Sequence, residues 1–133
     1  HMTQPLAVPS AGTYASEPVR HPPLTLIDLV AEAAAMPRPY HNAVINQVNS
    51  HCLRLAAFEG TYAWHRHPAS DELFLVIEGQ LHIDFPDAPS LCIGPNQVAT
   101  IPAGRVHRTR AEARVLNVCF EALGAATECV QLP

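Results

Sequence analysis

Two imidazoles, His65 and His67, stand just ahead of a carboxylate, Glu72, in the segment Trp64-His65-Arg66-His67-Pro68-Ala69-Ser70-Asp71-Glu72. Side chains two apart on a strand share a face, so His65 and His67 project together while Arg66 projects the other way. The pair is a ready chelating edge. A further imidazole, His107, follows in Ile101-Pro102-Ala103-Gly104-Arg105-Val106-His107, where Pro102 and Gly104 mark a turn. Three imidazole nitrogens and one carboxylate oxygen suit iron(II), manganese, cobalt, nickel or zinc, whereas magnesium and calcium prefer all-oxygen shells. Burying such a set without partners would cost several kcal/mol for each polar group, and a divalent cation satisfies all four at once. With 8 histidines in 133 residues, chance fills three specified positions with odds on the order of 10⁻⁴.

These residues must be carried by strands. Pro68 to Asp71 breaks the chain after His67, and Glu72 opens Leu73-Phe74-Leu75-Val76-Ile77, an apolar and partly aromatic run that predicts a buried antiparallel strand returning beside the histidines. Short β-rich runs are expected over 43–48, 52–58, 61–67, 72–77, 80–85, 98–101, 107–110 and 114–120, with Gly, Pro and Asn between most of them. Eight or so short strands argue for an all-β sandwich or barrel. Glu78-Gly79 reads as a hairpin turn. Ahead of the strands, residues 24–36 predict one helix, with Thr25 and Asp28 as a capping pair and Pro37 as its stop. Residues 1–23 carry Pro5, Pro9, Pro18, Pro22 and Pro23 and predict an arm or extended edge, with His1-Met2 reading as the remnant of a cleaved tag. The chain is expected to form a single domain over 24–133, with the helix leading it.

The same residues resemble the two motifs of the cupins. His65, His67, Glu72 and Gly79 match the first in type and spacing, and Pro102, Gly104 and His107 match the core of the second. The resemblance covers about residues 41 to 121. Two positions depart from it: Asn96 stands where the second motif opens with Gly, and Ala111 where it closes with Asn. Asn tolerates positive φ better than most residues, so the turn at 96 can survive. The resemblance implies a jelly-roll barrel, also called a double-stranded β-helix, which periodicity alone does not select. It also implies that His65, His67, Glu72 and His107 are the metal ligands, and that short single-barrel chains pair as homodimers, with the Pro-rich arm available for exchange.

Strand phase nominates pocket residues. If Glu72 faces the barrel interior, Phe74 and Val76 share that face, and Ala63 lies in line with His65 and His67; Tyr62 and Trp64 then face away, unless a bulge near Gly60 reverses the upstream members. Arg105, in the loop beside His107, is the candidate for holding a substrate carboxylate. His82 falls out of phase with Leu81, Ile83 and Phe85 and is expected to point outward. Cys52, Cys92, Cys119 and Cys129 form no Cys-x-x-Cys pair and read as reduced thiols in or near a core.

Composition narrows the function. A net charge of −4 and 48% hydrophobic residues give no general field for nucleic acid, and no apolar run approaches a membrane span. No basic region followed by an apolar stretch marks export, so the cytoplasm is expected. The expected partner is a small molecule. Either the chain is an enzyme using an open coordination position on its metal, of dioxygenase or isomerase type, or it is a non-catalytic module that binds or senses a small ligand through the same ion.

Overall fold

A computed structural model describes residues 17–133. Among the described residues nine strands follow one short helix: α1 (Leu29–Ala34), β1 (Tyr40–Val48), β2 (His51–Thr61), β3 (His65–Arg66), β4 (Glu72–Glu78), β5 (Leu81–Phe85), β6 (Ala88–Ile93), β7 (Val98–Ile101), β8 (Arg108–Ala122) and β9 (Glu128–Cys129). All pairings are antiparallel. The larger sheet runs β1-β2-β8-β4-β7, with β5 also on β8 and β6 on the far side of β5; β3 and β9 make a small second sheet. The architecture is the double-stranded β-helix barrel that the motifs imply.

The helix is shorter than residues 24–36. Asp28 is extended at φ −92° and ψ 109°, and its carboxylate accepts a hydrogen bond from Ala31 N at 3.1 Å, so the cap falls at Asp28 and leaves Thr25 outside the helix. At the other end Met36 precedes Pro37, which disfavours helical backbone. Ala33 and Met36 bury against Leu55, Ala57, Leu116 and Val118 on the outer side of the sheet. Of the Pro-rich arm, residues 1–16 lie outside the described residues. The next stretch runs along β1, with Arg20 N and His21 N donating to Val44 O and Ile45 O.

Long strands replace several expected short ones. Residues 107–110 and 114–120 belong largely to the single strand β8, and β2 runs on through Gly60 with a register shift between Phe58 and Gly60. Glu78-Gly79 is not a hairpin turn, because β4 and β5 do not pair with each other. Both lie antiparallel to β8, β4 against residues 116–120 and β5 against 108–110, so the chain turns a corner and continues in the same sense. Gly79 makes the corner possible: its φ is +87°, and a Cβ there would sit 2.8 Å from Arg114 O. β6 lacks the alternation that marks a half-buried strand. It is an exposed edge carrying Pro89, which an edge position tolerates.

Alternation then sorts the side chains. On β2, Ala56 and Phe58 join Phe74, Val76, Leu81, Ile83, Ile93, Ile101 and Val115 in the barrel core, while Leu55 and Ala57 face the helix side. His82 is half-buried, out of phase with the fully buried Leu81 and Ile83. Cys52 and Cys119 are buried, but Cys92 and Cys129 are exposed, the first on the β6 edge and the second in β9. All four thiols are free.

Candidate metal centre

The two motifs meet through backbone. His65 N donates to His107 O at 2.9 Å and His107 N returns a bond to His65 O at 3.0 Å, a β-bridge outside the longer strands. Gly104, with φ +80°, donates its N–H to His67 O, and Ala103 N donates to Asp71 Oδ1, so the Pro102–Gly104 turn is pinned to the loop after His67. Asn96 adopts φ +66°, the left-handed turn that the motif's Gly would have supplied. Glu72 enters as the first residue of β4, opposite Ile101 at the end of β7.

One ligand atom from each of His65, His67, Glu72 and His107 lies within 4.8 Å of the others, and all four residues are buried. Three backbone carbonyls orient the rings. Nδ1 of His65 faces Ala63 O at 2.8 Å, Nδ1 of His107 faces Arg105 O at 2.8 Å, and Nδ1 of His67 faces Ala126 O at 3.2 Å, with Thr127 Oγ1 also 3.2 Å away. A carbonyl oxygen only accepts, so Nδ1 carries the hydrogen; in a neutral ring, Nε2 then presents its lone pair. Those lone pairs converge on a carboxylate: Glu72 Oε1 is 3.0 Å from His67 Nε2 and 3.7 Å from His107 Nε2.

Burial and the Glu72 carboxylate set the protonation of the cluster. Burial, joined by the neighbouring His107, brings His65 down to about 4, so it is neutral at physiological pH. Burial also pulls on His67, but the Glu72 carboxylate outweighs it and leaves that ring above the usual imidazole value. For Glu72, burial alone would raise the carboxyl; the close approach of His107 and His67 overrides it and holds the carboxyl well below the usual range. Glu72 Oε1 and His107 Nε2 are fully buried and make no hydrogen bond of good geometry with any described residue. A buried charged acceptor facing ring lone pairs is costly as it stands, and a divalent cation at their focus relieves it. The donor set therefore fits a borderline transition metal.

Beside the donors lies a water-accessible cavity of about 40 Å³. Phe74 lines it, as its phase implies. Val76 does not: it is fully buried in the core. Ala63 is also absent from the lining, because residues 62–64 leave the strand pattern and reset the phase, so that Tyr62 turns inward, 6% exposed, with its ring edge-on to His65 at 4.9 Å. Ala63 contributes only the carbonyl that holds His65. Trp64 stacks under the Arg108 guanidinium at 4.6 Å. Arg105 is not at the cavity; it pairs twice with Asp87, at 2.7 and 3.2 Å, and covers the Phe85 ring.

The rest of the lining was not foreseen from sequence. Tyr40 and Asn42 of β1, Ala56 and Phe58 of β2, and Thr109, Asn117 and Cys119 of β8 surround the space. Their common signal is register: Tyr40 faces Phe58, Asn42 faces Ala56, and Asn117 faces both Ala56 and Val76. Burial pushes the Tyr62 phenol up to about 12 and the Tyr40 phenol well above its usual range, so both hydroxyls keep their protons.

Comparisons with known proteins agree with this geometry. A family profile described as Cupin domain matches residues 54–119. The uncharacterized protein YdbB of Bacillus subtilis is 45% identical over 104 residues, covering 78% of this chain and 92% of that protein. The crystal structure of a cupin-2 domain containing protein from Shewanella frigidimarina superposes with a TM-score of 0.69 at 27% identity, over 73% of this chain and 94% of the other. A protein from Neisseria meningitidis superposes with a TM-score of 0.67 at 30% identity, over 74% and 99%.

Proposed function

The chain belongs to the cupin family, and from that premise we propose that it holds a divalent transition metal on His65, His67, Glu72 and His107 and acts as an enzyme on a small organic molecule in the adjoining cavity. The observation that carries the reading is the pair of buried, unsatisfied atoms, Glu72 Oε1 and His107 Nε2, facing one another at 3.7 Å. Iron, manganese, nickel, cobalt and zinc all suit the donors. Such an ion, when bound, supplies Lewis-acid polarisation of a substrate oxygen, or oxygen activation if it is iron, consistent with isomerase or dioxygenase chemistry. The protein's own part is positional. Carbonyls of Ala63, Arg105 and Ala126 fix the ring tautomers, Phe58 and Phe74 give the ligand an apolar bed, and the buried surround excludes bulk water.

A second reading, a non-catalytic module that binds or senses a small ligand at the same site, draws support from the small size of the cavity. Turnover separates the two. Protein purified without oxygen should contain close to one equivalent of iron, manganese, nickel, cobalt or zinc by elemental analysis, and should then be screened for oxygen uptake with small acids, diketones and thiols. His67→Ala should lower metal affinity at least a hundredfold; occupancy at the wild-type level after dialysis would sink the ligand assignment.

No described helix is long and apolar enough to cross a membrane. Homodimerisation is part of the proposal and is supported by the nearly full exposure of Leu24 and Leu26, apolar side chains that a second copy would cover. A cytoplasmic location is supported by the four unpaired thiols.

A further inference from the structure

Among the residues lining the cavity, outside the four-donor cluster, one polar atom has no partner within the described chain. Asn117 lies on β8 opposite Ala56 and Val76 and is 1% exposed. Its Nδ2 donates to Cys119 Sγ at 3.3 Å, and its Oδ1 accepts no hydrogen bond. That contact sets Nδ2–H against the sulfur lone pairs and leaves Oδ1 as the unpartnered end of an amide whose residue lines the cavity.

An amide in this place is expensive for the fold. Its register partners are Ala56 and Val76, among which an apolar side chain of similar size would sit without penalty, whereas a buried acceptor left unmade costs more than a satisfied one contributes. We infer that Asn117 Oδ1 is the acceptor that selects and orients the cavity's ligand, a small organic molecule with a hydroxyl or N–H on its β8 side and an oxygen directed at the four-donor cluster. The inference rests on the metal reading of that cluster. The ligand would lie beside Phe58 and Phe74. A site built to receive a donor rejects an analogue that lacks it, because the acceptor is then buried unmade.

The experiment uses protein loaded with cobalt(II), its cobalt content measured first, and titrated calorimetrically with glycolate and with fluoroacetate. The two acids match in heavy atoms, and fluorine replaces the hydroxyl donor. Wild type should bind glycolate more tightly, and Asn117→Leu should cut the glycolate-to-fluoroacetate preference by about tenfold. The metal-free Asn117→Leu protein should melt no lower than wild type, since it loses an unmade acceptor; an amide kept only for structure would leave a lower Tm. Asn117→Ala gives the same readout if the leucine does not fit. A preference within twofold of wild type in the variant, or a loaded wild type that fails to bind or distinguish the two acids, overturns the inference and leaves the metal site standing. Wild type that takes up no cobalt overturns both.

Discussion

Two regions of the barrel interior are filled in opposite ways. Around Leu81, Ile83, Ile93, Ile101 and Val115 the strands meet through hydrocarbon alone, and nothing there asks for a partner from outside. Around His65, His67, Glu72, His107 and Asn117 polar groups line a cavity, and one carboxylate atom, one imidazole atom and one amide oxygen are left unmade. The first region answers to packing; the second would answer to the ligand proposed for it. One contributes stability at no cost to function; the other gives up stability to keep atoms available.

The sharpest way to separate them is Leu81→Ala. Leu81 is fully buried, so the truncation should cost about 2–5 kcal/mol of unfolding free energy in denaturant while leaving metal stoichiometry per folded molecule unchanged. A parallel loss of metal would mean the two regions are not separate. A smaller effect is expected at the glycines. Gly79→Ala meets Arg114 O at 2.8 Å in a positive-φ backbone and should cost about 2–3 kcal/mol, whereas Gly104→Ala, also at positive φ but with open space around it, should cost about 1 kcal/mol. Equal urea midpoints for the two would contradict the close approach at the β4–β5 corner.

The smallest effect is a pH dependence at the rim. Burial tends to raise Asp84, but hydrogen bonds from Arg110, Ser90 and Arg108 outweigh it and hold the carboxyl at about 2, against 3.8 ordinarily. A folded-state value below the unfolded one contributes stability that is complete above about pH 4 and is lost as pH falls from there through about 2. The ceiling is about 2 kcal/mol, reduced because Arg108 and Arg110 are about a third exposed and water screens them. The stability gap between wild type and Asp84→Asn should therefore narrow between pH 4 and pH 2; a gap that is flat over that window would refute the assignment.

The donors were legible because their information is local. His65 and His67 share a strand face, Glu72 follows within a turn, and the Pro102–Gly104 turn announces His107. The all-β class came from the same short-range alternation. What sequence withheld is what pairing decides. Nothing within 78–80 says that β5 will continue along β8 instead of folding back on β4, and Pro89 disguised β6, which survives as a strand only because it is an edge. The cavity was misread for a related reason. Phase carried from His65 back to Ala63 fails across the irregular residues 62–64, and Asn117 becomes interesting only once Ala56 and Val76 are known to flank it. Arg105, which sequence offers to a substrate carboxylate, is held by Asp87, a partner 18 residues away that no local pattern marks. For α1, Asp28 outcompeted Thr25 because its carboxylate reaches the N–H of Ala31.

The reciprocal backbone bonds between His65 and His107 join segments far apart in sequence at the very point where the imidazoles converge. Binding of the proposed ion would make coordination and chain closure one event. A partly folded chain with that clasp open has no four-donor site, so an ion that binds only the closed form acts as a latch on the entire barrel. Each tenfold excess of free ion over its dissociation constant would add about 1.4 kcal/mol to global stability, and the melting temperature would read the metal concentration around the protein.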